Sequence, residues 1–233
     1  MSKIRSWSYS RLLDFEACPL MAKFKILDRI PEPERPLPPG KTEHANDRGS
    51  RIHNECELYV RGEGPLPQEA RYFEDEFKSL AAKFKKGMVS LEGEWGFDKQ
   101  WQPVDWKLAW LRVKLDANVH LSGTHAAVID YKTGKKFGNE IKHGEQLQLY
   151  ALSVFLRYPQ VEHVTAELWY LDVNDLTRLD VARPIGLRQL KPFDKRGRKM
   201  TEAENFPANP NMHSCKYCPY HPAKGTGDCK VGV

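Results

Sequence analysis

The chain has 233 residues, 36 Lys plus Arg against 31 Asp plus Glu, and a formal net charge of +5. That length buries a sizeable core without disulfides, and 29% charged with 40% apolar residues is the balance of a soluble globular protein, which excludes an acidic disordered tail or a disulfide-built mini-protein. No apolar run approaches the roughly 20 residues that cross a bilayer, and the first residues lack the apolar stretch of a secretory signal, so no membrane partner is expected.

Ser8 or Ser10 is placed to N-cap a helix running to about Leu27, with Leu12, Leu13, Phe15, Leu20 and Phe24 as its apolar stripe. Five prolines within residues 31–40 then predict an extended connector. Helices follow over 48–60 and 69–86, parted by Gly62-Glu63-Gly64-Pro65. From Val89 the period changes to two. Val89–Phe97, Trp106–Leu121 and Ala126–Thr133 read as strands. Leu111, Val113, Leu115, Ala117 and Val119 share one face of the second, and Asp116 and Asn118 share the other. A helix is predicted over 145–156, strands over 161–172 and 176–184, and a polar helix over 187–205 that Gly197 weakens. The last thirty residues read as loop. The expected organisation is one α/β domain, 1–233: residues 1–86 mainly helical, 87–186 a catalytic sheet and helix, and 187–233 a C-terminal helix with a cysteine-rich closure.

The chemistry concentrates around Asp116 and the run Asp130-Tyr131-Lys132-Thr133-Gly134. Alternation on a strand points Asp130 and Lys132 to the same side. Should the Asp116 strand pair alongside, two carboxylates meet at one sheet end. A hard divalent cation, Mg²⁺ or Mn²⁺, relieves their repulsion. A lysine beside it can orient water and stabilise charge on phosphate. The alternative is a pair of ordinary solvent-face carboxylates with a counter-charge. Gly49 and His53 on one predicted helix, and Gln146 and Tyr150 on another, complete the set. Glu92 and Glu94, on the preceding strand, are read as surface positions, with an accessory carboxylate as the alternative.

In this order the residues resemble the RecB-like branch of the PD-(D/E)xK nuclease superfamily, whose pattern is Gly-x-x-x-His, Asp, Asp-x-Lys-Thr-Gly and Gln-x-x-x-Tyr. The resemblance implies a restriction-endonuclease-like core, a central mixed sheet flanked by helices. It implies metal ligands His53, Asp116, Asp130 and the Tyr131 carbonyl, with Lys132 serving the nucleophilic water. Gln146 and Tyr150 would support Lys132 or the DNA backbone. The residue before Asp116 is Leu115, where the full pattern has proline. The implied activity is a deoxyribonuclease, foremost an exonuclease on single-stranded or end-exposed DNA, in a bacterial or phage-infected cytoplasm. A structure-specific endonuclease and a non-catalytic DNA-binding module are the alternatives. No Gly-x-x-x-x-Gly-Lys-Ser/Thr occurs, so a helicase or recombination motor would be a partner.

Five cysteines, an odd number, argue against a disulfide framework. Cys18 from one chain end with Cys215, Cys218 and Cys229 from the other resembles the layout of RecB-like nucleases with an iron–sulfur cluster, the AddB-type and CRISPR-associated enzymes. A 4Fe–4S cluster on these four is the implication. Zinc at the same cysteines, or at three of them with a histidine, is the alternative. Cys56 reads as a core thiol. Basic residues Lys135, Lys136 and Lys142 near the proposed site, and Lys195, Arg196 and Arg198 in a second cluster, are the expected nucleic-acid contacts.

Overall fold

The computed structural model of the chain describes residues 3–34, 36–134 and 136–233. The chain forms two compact units, one from Met1–Pro36, Ala109–Arg112 and Pro192–Val233, the other from Leu37–Leu108 and Val113–Lys191.

In the larger unit, α3 (Ala45–Arg61) ends where Gly62 takes a left-handed conformation, φ 82°. The next predicted helix divides into a 3₁₀ segment (Gln68–Phe73) and α4 (Glu74–Phe84), whose first turn carries Glu74, Asp75 and Glu76 at the positive helix end. Six strands follow: β1 (Val89–Phe97), β2 (Pro103–Val104), β3 (Leu111–His120), β4 (His125–Lys132), β5 (His163–Tyr170) and β6 (Asp175–Ala182). They lie in the order β2-β1-β3-β4-β5-β6. β4 and β5 are parallel, joined through α5 (Glu140–Arg157), while β3–β4 and β5–β6 are antiparallel. This is the mixed, helix-flanked α/β sheet the sequence predicts. β3 begins later than predicted, because Trp106–Leu108 forms a 3₁₀ turn.

One face of the sheet, with Ala117, Val119, Ile129, Tyr131 and Trp169, packs on Ile52 and Cys56 of α3 and Phe77 of α4. Each such fully buried large side chain contributes about 2–3 kcal/mol of transfer free energy. Both faces are covered at the sheet centre. Asp116 (9% exposed) and Asn118 (0%) are therefore buried, although period-two patterning puts them on the solvent side.

In the smaller unit, Ser8 caps α1 (Tyr9–Ala17), its Oγ accepting from the Arg11 N–H at 3.5 Å. The predicted helix to Leu27 is interrupted at Cys18, which is extended (φ −159°, ψ 107°). A residue before proline is pushed out of the helical region, and Pro19 then opens α2 (Pro19–Lys23). Cys18 thus sits at a joint and not inside a helix. A π-helical turn, Phe24–Asp28, follows.

The predicted 187–205 helix appears as α7 (Leu190–Thr201), and the short α6 (Arg183–Leu187) before it begins within the predicted 176–184 strand. Trp7 pairs its backbone with Trp110 and Arg112 at 2.7 and 2.8 Å, and its ring lies 6.5 Å from Phe193. A Cβ at Gly197 would come within 2.6 Å of the Trp7 ring and 2.8 Å of Trp110. The glycine that weakens α7 locally is what lets the tryptophans pack on it. α8 (Met212–Cys215), capped by Asn211, falls in the stretch that reads as loop.

Candidate active site and cysteine pocket

Gly49 brings α3 against the end of β4: a Cβ there would lie 3.2 Å from Thr133 Oγ1. One turn later His53 Nδ1 sits 2.9 Å from Asp116 Oδ1. The register Ala117↔Ile129 sets Asp116 beside Asp130 across the β3–β4 pair. The Tyr131 N–H donates to Asp116 Oδ2 at 2.5 Å. From α5, Gln146 Nε2 donates to the Tyr150 hydroxyl at 2.6 Å, and Tyr150 donates to Asp130 Oδ1 at 2.7 Å. Tyr150, held by Gln146, thus bonds Asp130; the expected partners of the pair are Lys132 or the DNA backbone. Lys132 Nζ lies 2.6 Å from Asp130 Oδ2, but off the angle of a hydrogen bond. That oxygen, buried and without a hydrogen bond among the described residues, has only an ionic partner.

The turn after β4 is tied down. Gly134, at φ 93°, donates its N–H to Asp172 Oδ2 at 2.6 Å, and Arg48 grips both Asp172 oxygens at 2.8 and 2.7 Å. Bidentate pairing of this kind fixes direction as well as distance.

The donor set fits a hard divalent cation. Ligand atoms of His53, Glu92 and Asp116 lie within 4.8 Å of one another, and Asp130 lends a buried carboxylate oxygen short of donors. These four residues line one cleft of about 670 Å³. Glu92 thus stands with the cluster, in line with its alternative reading as an accessory carboxylate, while Glu94 is exposed. Glu92 adopts φ 47° within β1 and contacts Lys114 at 2.6 Å. A non-glycine residue held left-handed in a strand is a strained position of the kind found at functional sites. The signal in the sequence was Gly93, an inward glycine inside a strand pattern, which marks a bulge or close approach.

Burial raises the pKa of Asp116; the His53 hydrogen bond opposes this and the Asp130 charge adds to it. Burial disfavours the His53 cation, but the hydrogen bond and charge of Asp116 and the charge of Asp130 outweigh it, so its pKa is raised. Burial and then the Asp130 charge hold the Tyr150 phenol well above its usual value, keeping it a donor. The net shifts thus all favour the protonated forms of Asp116, His53 and Tyr150.

The other predicted contacts are dispersed. Lys136 bonds Asp175 at 2.8 Å and lies over the Tyr170 ring, and Lys142 is exposed on α5. In the smaller unit Lys195 is exposed, Arg196 clasps Glu16 at 2.8 Å, and Arg198 bonds Asp194 at 2.8 Å. Lys135 lies outside the described residues.

The sequence model of the PD-(D/E)XK nuclease superfamily matches residues 6–223. The chain belongs to that superfamily. Its fold is similar to a "Putative exonuclease" from Eubacterium rectale, 14% identical, with a TM-score of 0.53 over 98% of this chain and 91% of that one. SSO0001 also matches, at 14% identity and a TM-score of 0.46, over 100% of this chain and 90% of the other. An alkaline exonuclease from Laribacter hongkongensis matches at 13% and 0.34, over 87% and 90%. No curated protein matches the chain. The superfamily is one of nucleases that use divalent metals. No helix among the described residues is long and apolar enough to cross a membrane.

In the smaller unit of this PD-(D/E)XK protein, Cys18, Cys215, Cys218 and Cys229 line one cavity with Phe24 and His221. The Asn209 N–H donates to Cys18 Sγ at 3.4 Å. Burial raises the Cys218 thiol, and charge on the other three cysteines adds to it. Among the described residues no three of these sulfurs lie within 4.8 Å of one another. His221 is 6% exposed, and its Nδ1 accepts from the backbone N–H groups of Ala223 and Lys224 at 3.0 and 3.1 Å. A neutral imidazole that accepts at Nδ1 carries its proton on Nε2. That Nε2–H is buried with no partner among the described residues. In that tautomer His221 is a donor at Nε2. Cys56 is a core thiol as expected, pushed up by burial and then by Asp116.

Proposed function

We propose that the protein is a metal-dependent deoxyribonuclease, an exonuclease on single-stranded or end-exposed DNA. The observation that carries the reading is the convergence of Asp116, Asp130 and His53 on one sheet end with Lys132 Nζ held 2.6 Å from the under-bonded Asp130 oxygen. His53, Glu92, Asp116 and Asp130 would hold Mg²⁺ or Mn²⁺, with the Tyr131 carbonyl as the fifth candidate. When bound, the cation supplies a Lewis acid that lowers the pKa of water and neutralises phosphate charge. Lys132 places a fixed cation where charge develops on the phosphoryl oxygens and orients the attacking water. Tyr150 and Gln146 hold Asp130 in one rotamer, and Arg48 with Asp172 fixes the turn that follows Lys132.

The test is a time course on end-labelled single- and double-stranded DNA and on closed circular single strands, with Mg²⁺ or Mn²⁺. Progressive loss from ends with the circle intact is expected. A cut circle would replace the exonuclease mode with an endonuclease. No cleavage of any form would leave a DNA-binding module.

For the smaller unit we propose that the four cysteines hold a 4Fe–4S cluster. Zinc is the alternative. Protein purified without oxygen should be brown with broad visible absorption, and Cys215→Ser should bleach it. Colourless protein with stoichiometric zinc would sink this part alone.

A further inference from the structure

A second cleft, of about 970 Å³, lies wholly within the smaller unit. Six of its ten lining residues are cationic, Lys3, Arg5, Arg11, Lys25, Arg29 and Arg112, and none is a carboxylate. Lys3 pairs with Glu204, and Lys25 with Asp14 and Glu32, at 3.2 to 3.4 Å. Such half-exposed pairs are worth little and exchange readily. Arg5 and Arg29 are exposed and make no ion pair among the described residues.

Two further observations point to an anionic ligand. Arg11 bonds Ser6 at 3.5 Å, and its pKa is lowered by burial and then by the charge of Arg112. Two guanidinium groups thus stand near one another in the lining of the cleft. The cleft wall is also irregular backbone: Lys25, Ile26 and Leu27 belong to the π-helical turn, and Arg29 ends it in the left-handed region at φ 53°. π turns and strained non-glycine residues are rare and concentrate at functional sites.

We propose that this cleft binds the phosphodiester backbone of a single DNA strand. No aromatic residue lines it to stack on bases, so the contact is with phosphates and carries no sequence preference. A walled cleft receives one strand, whereas a duplex presents its phosphates on a convex surface. That the polyanion is DNA rests on the nuclease reading above. The contact site itself rests on the cleft.

The test is anisotropy of a labelled single strand of about 30 nucleotides, titrated with the full chain in EDTA so that cleavage cannot interfere, across a NaCl series. Each phosphate contact on a single strand contributes about 0.7 to the slope of log affinity against log salt. Arg5→Ser with Arg29→Ser should flatten that slope by about 1.4 and weaken binding roughly tenfold at low salt. Arg5→Lys with Arg29→Lys should retain most of it. Lys216→Ser with Lys224→Ser, an equal loss of charge outside the cleft, should change neither quantity; thermal melts confirm that all variants fold. Binding by the serine pair equal to wild type, or an equal loss in the control pair, overturns the proposal. So does competition by polyglutamate as effective as by unlabelled DNA, or a preference for blunt duplex. Wild type that cleaves DNA while the serine pair binds normally removes the cleft and leaves the nuclease. Wild type that binds through Arg5 and Arg29 but cleaves nothing removes the nuclease and leaves the cleft.

Discussion

Tyr150 donates its hydroxyl proton to Asp130 Oδ1 at 2.7 Å, leaving Oδ2, the oxygen nearest Lys132, without a hydrogen bond among the described residues. The phenol therefore fixes which carboxylate oxygen is left toward Lys132. Tyr150→Phe keeps the ring packing and removes that selection, at a cost of about 1–2 kcal/mol in the site. The expected result is a roughly tenfold lower kcat and a higher Mn²⁺ concentration at half-maximal rate. Asp130→Asn and Lys132→Ala should lose at least about a hundredfold in cleavage while still binding DNA in EDTA. Full activity in Asp130→Asn would reject the site.

Glu92 approaches His53 and Asp116 closely enough to share a cation with them. Glu92→Gln keeps its shape and removes one charge. Titration with Mn²⁺ should show affinity weakened by about tenfold or more, with the fold unchanged. Because imidazole suits Mn²⁺ better than Mg²⁺, wild type should require less Mn²⁺ than Mg²⁺, and His53→Ala should narrow that gap.

Asp172 has a pH signature of its own. The Arg48 hydrogen bond holds its pKa below the usual carboxylate range against burial, with the Gly134 N–H and the charges of Arg48 and Lys41 assisting. An unfolded Asp titrates near 3.9. The folded group binds its proton only at lower pH, so its stabilisation is complete above about pH 4 and is lost as pH falls through the folded value. Asp172→Asn should lower Tm by about 2–6 °C near pH 7, and the gap to wild type should close in acid. A gap independent of pH would refute the assignment.

Gly197 lies where Trp7 and Trp110 leave no room for a Cβ. In an exposed helix, glycine to alanine stabilises by nearly 1 kcal/mol. Here Gly197→Ala should instead destabilise by about 1–3 kcal/mol, because the rings must move. Denaturant unfolding gives the sign directly.

His221 Nε2–H has no partner among the described residues in the cavity the four cysteines line. A donor to sulfur favours the more negative, reduced state of a cluster. His221→Leu should leave iron content near wild type and make the cluster harder to reduce, read as a smaller reduced fraction at a fixed dithionite level. Loss of all iron in His221→Leu with retention in His221→Gln would still mark a hydrogen-bond donor. Loss in both, with a stable fold, would mark a ligand.

The sequence by itself determined most of the strands and which side chains share a strand face. Period-two alternation placed β1, β4, β5 and β6 within a few residues, and the spacing of Asp130 and Lys132 put both on one side of a strand because side chains alternate. What it left open depends on which surfaces meet. Asp116 and Asn118 look solvent-facing by alternation and are buried, since helices cover both faces of the sheet. Glu92 looked like any strand carboxylate until β1 lay beside β3 with a left-handed backbone that turned it toward His53. Gly197 reads as a helix defect and is a packing requirement set by Trp7, about 190 residues away in the chain. The single helix expected through Cys18 broke at Pro19 for a local reason that was legible. The direction of the His221 proton was not, because it is set by two backbone amides whose positions exist only once the loop has folded.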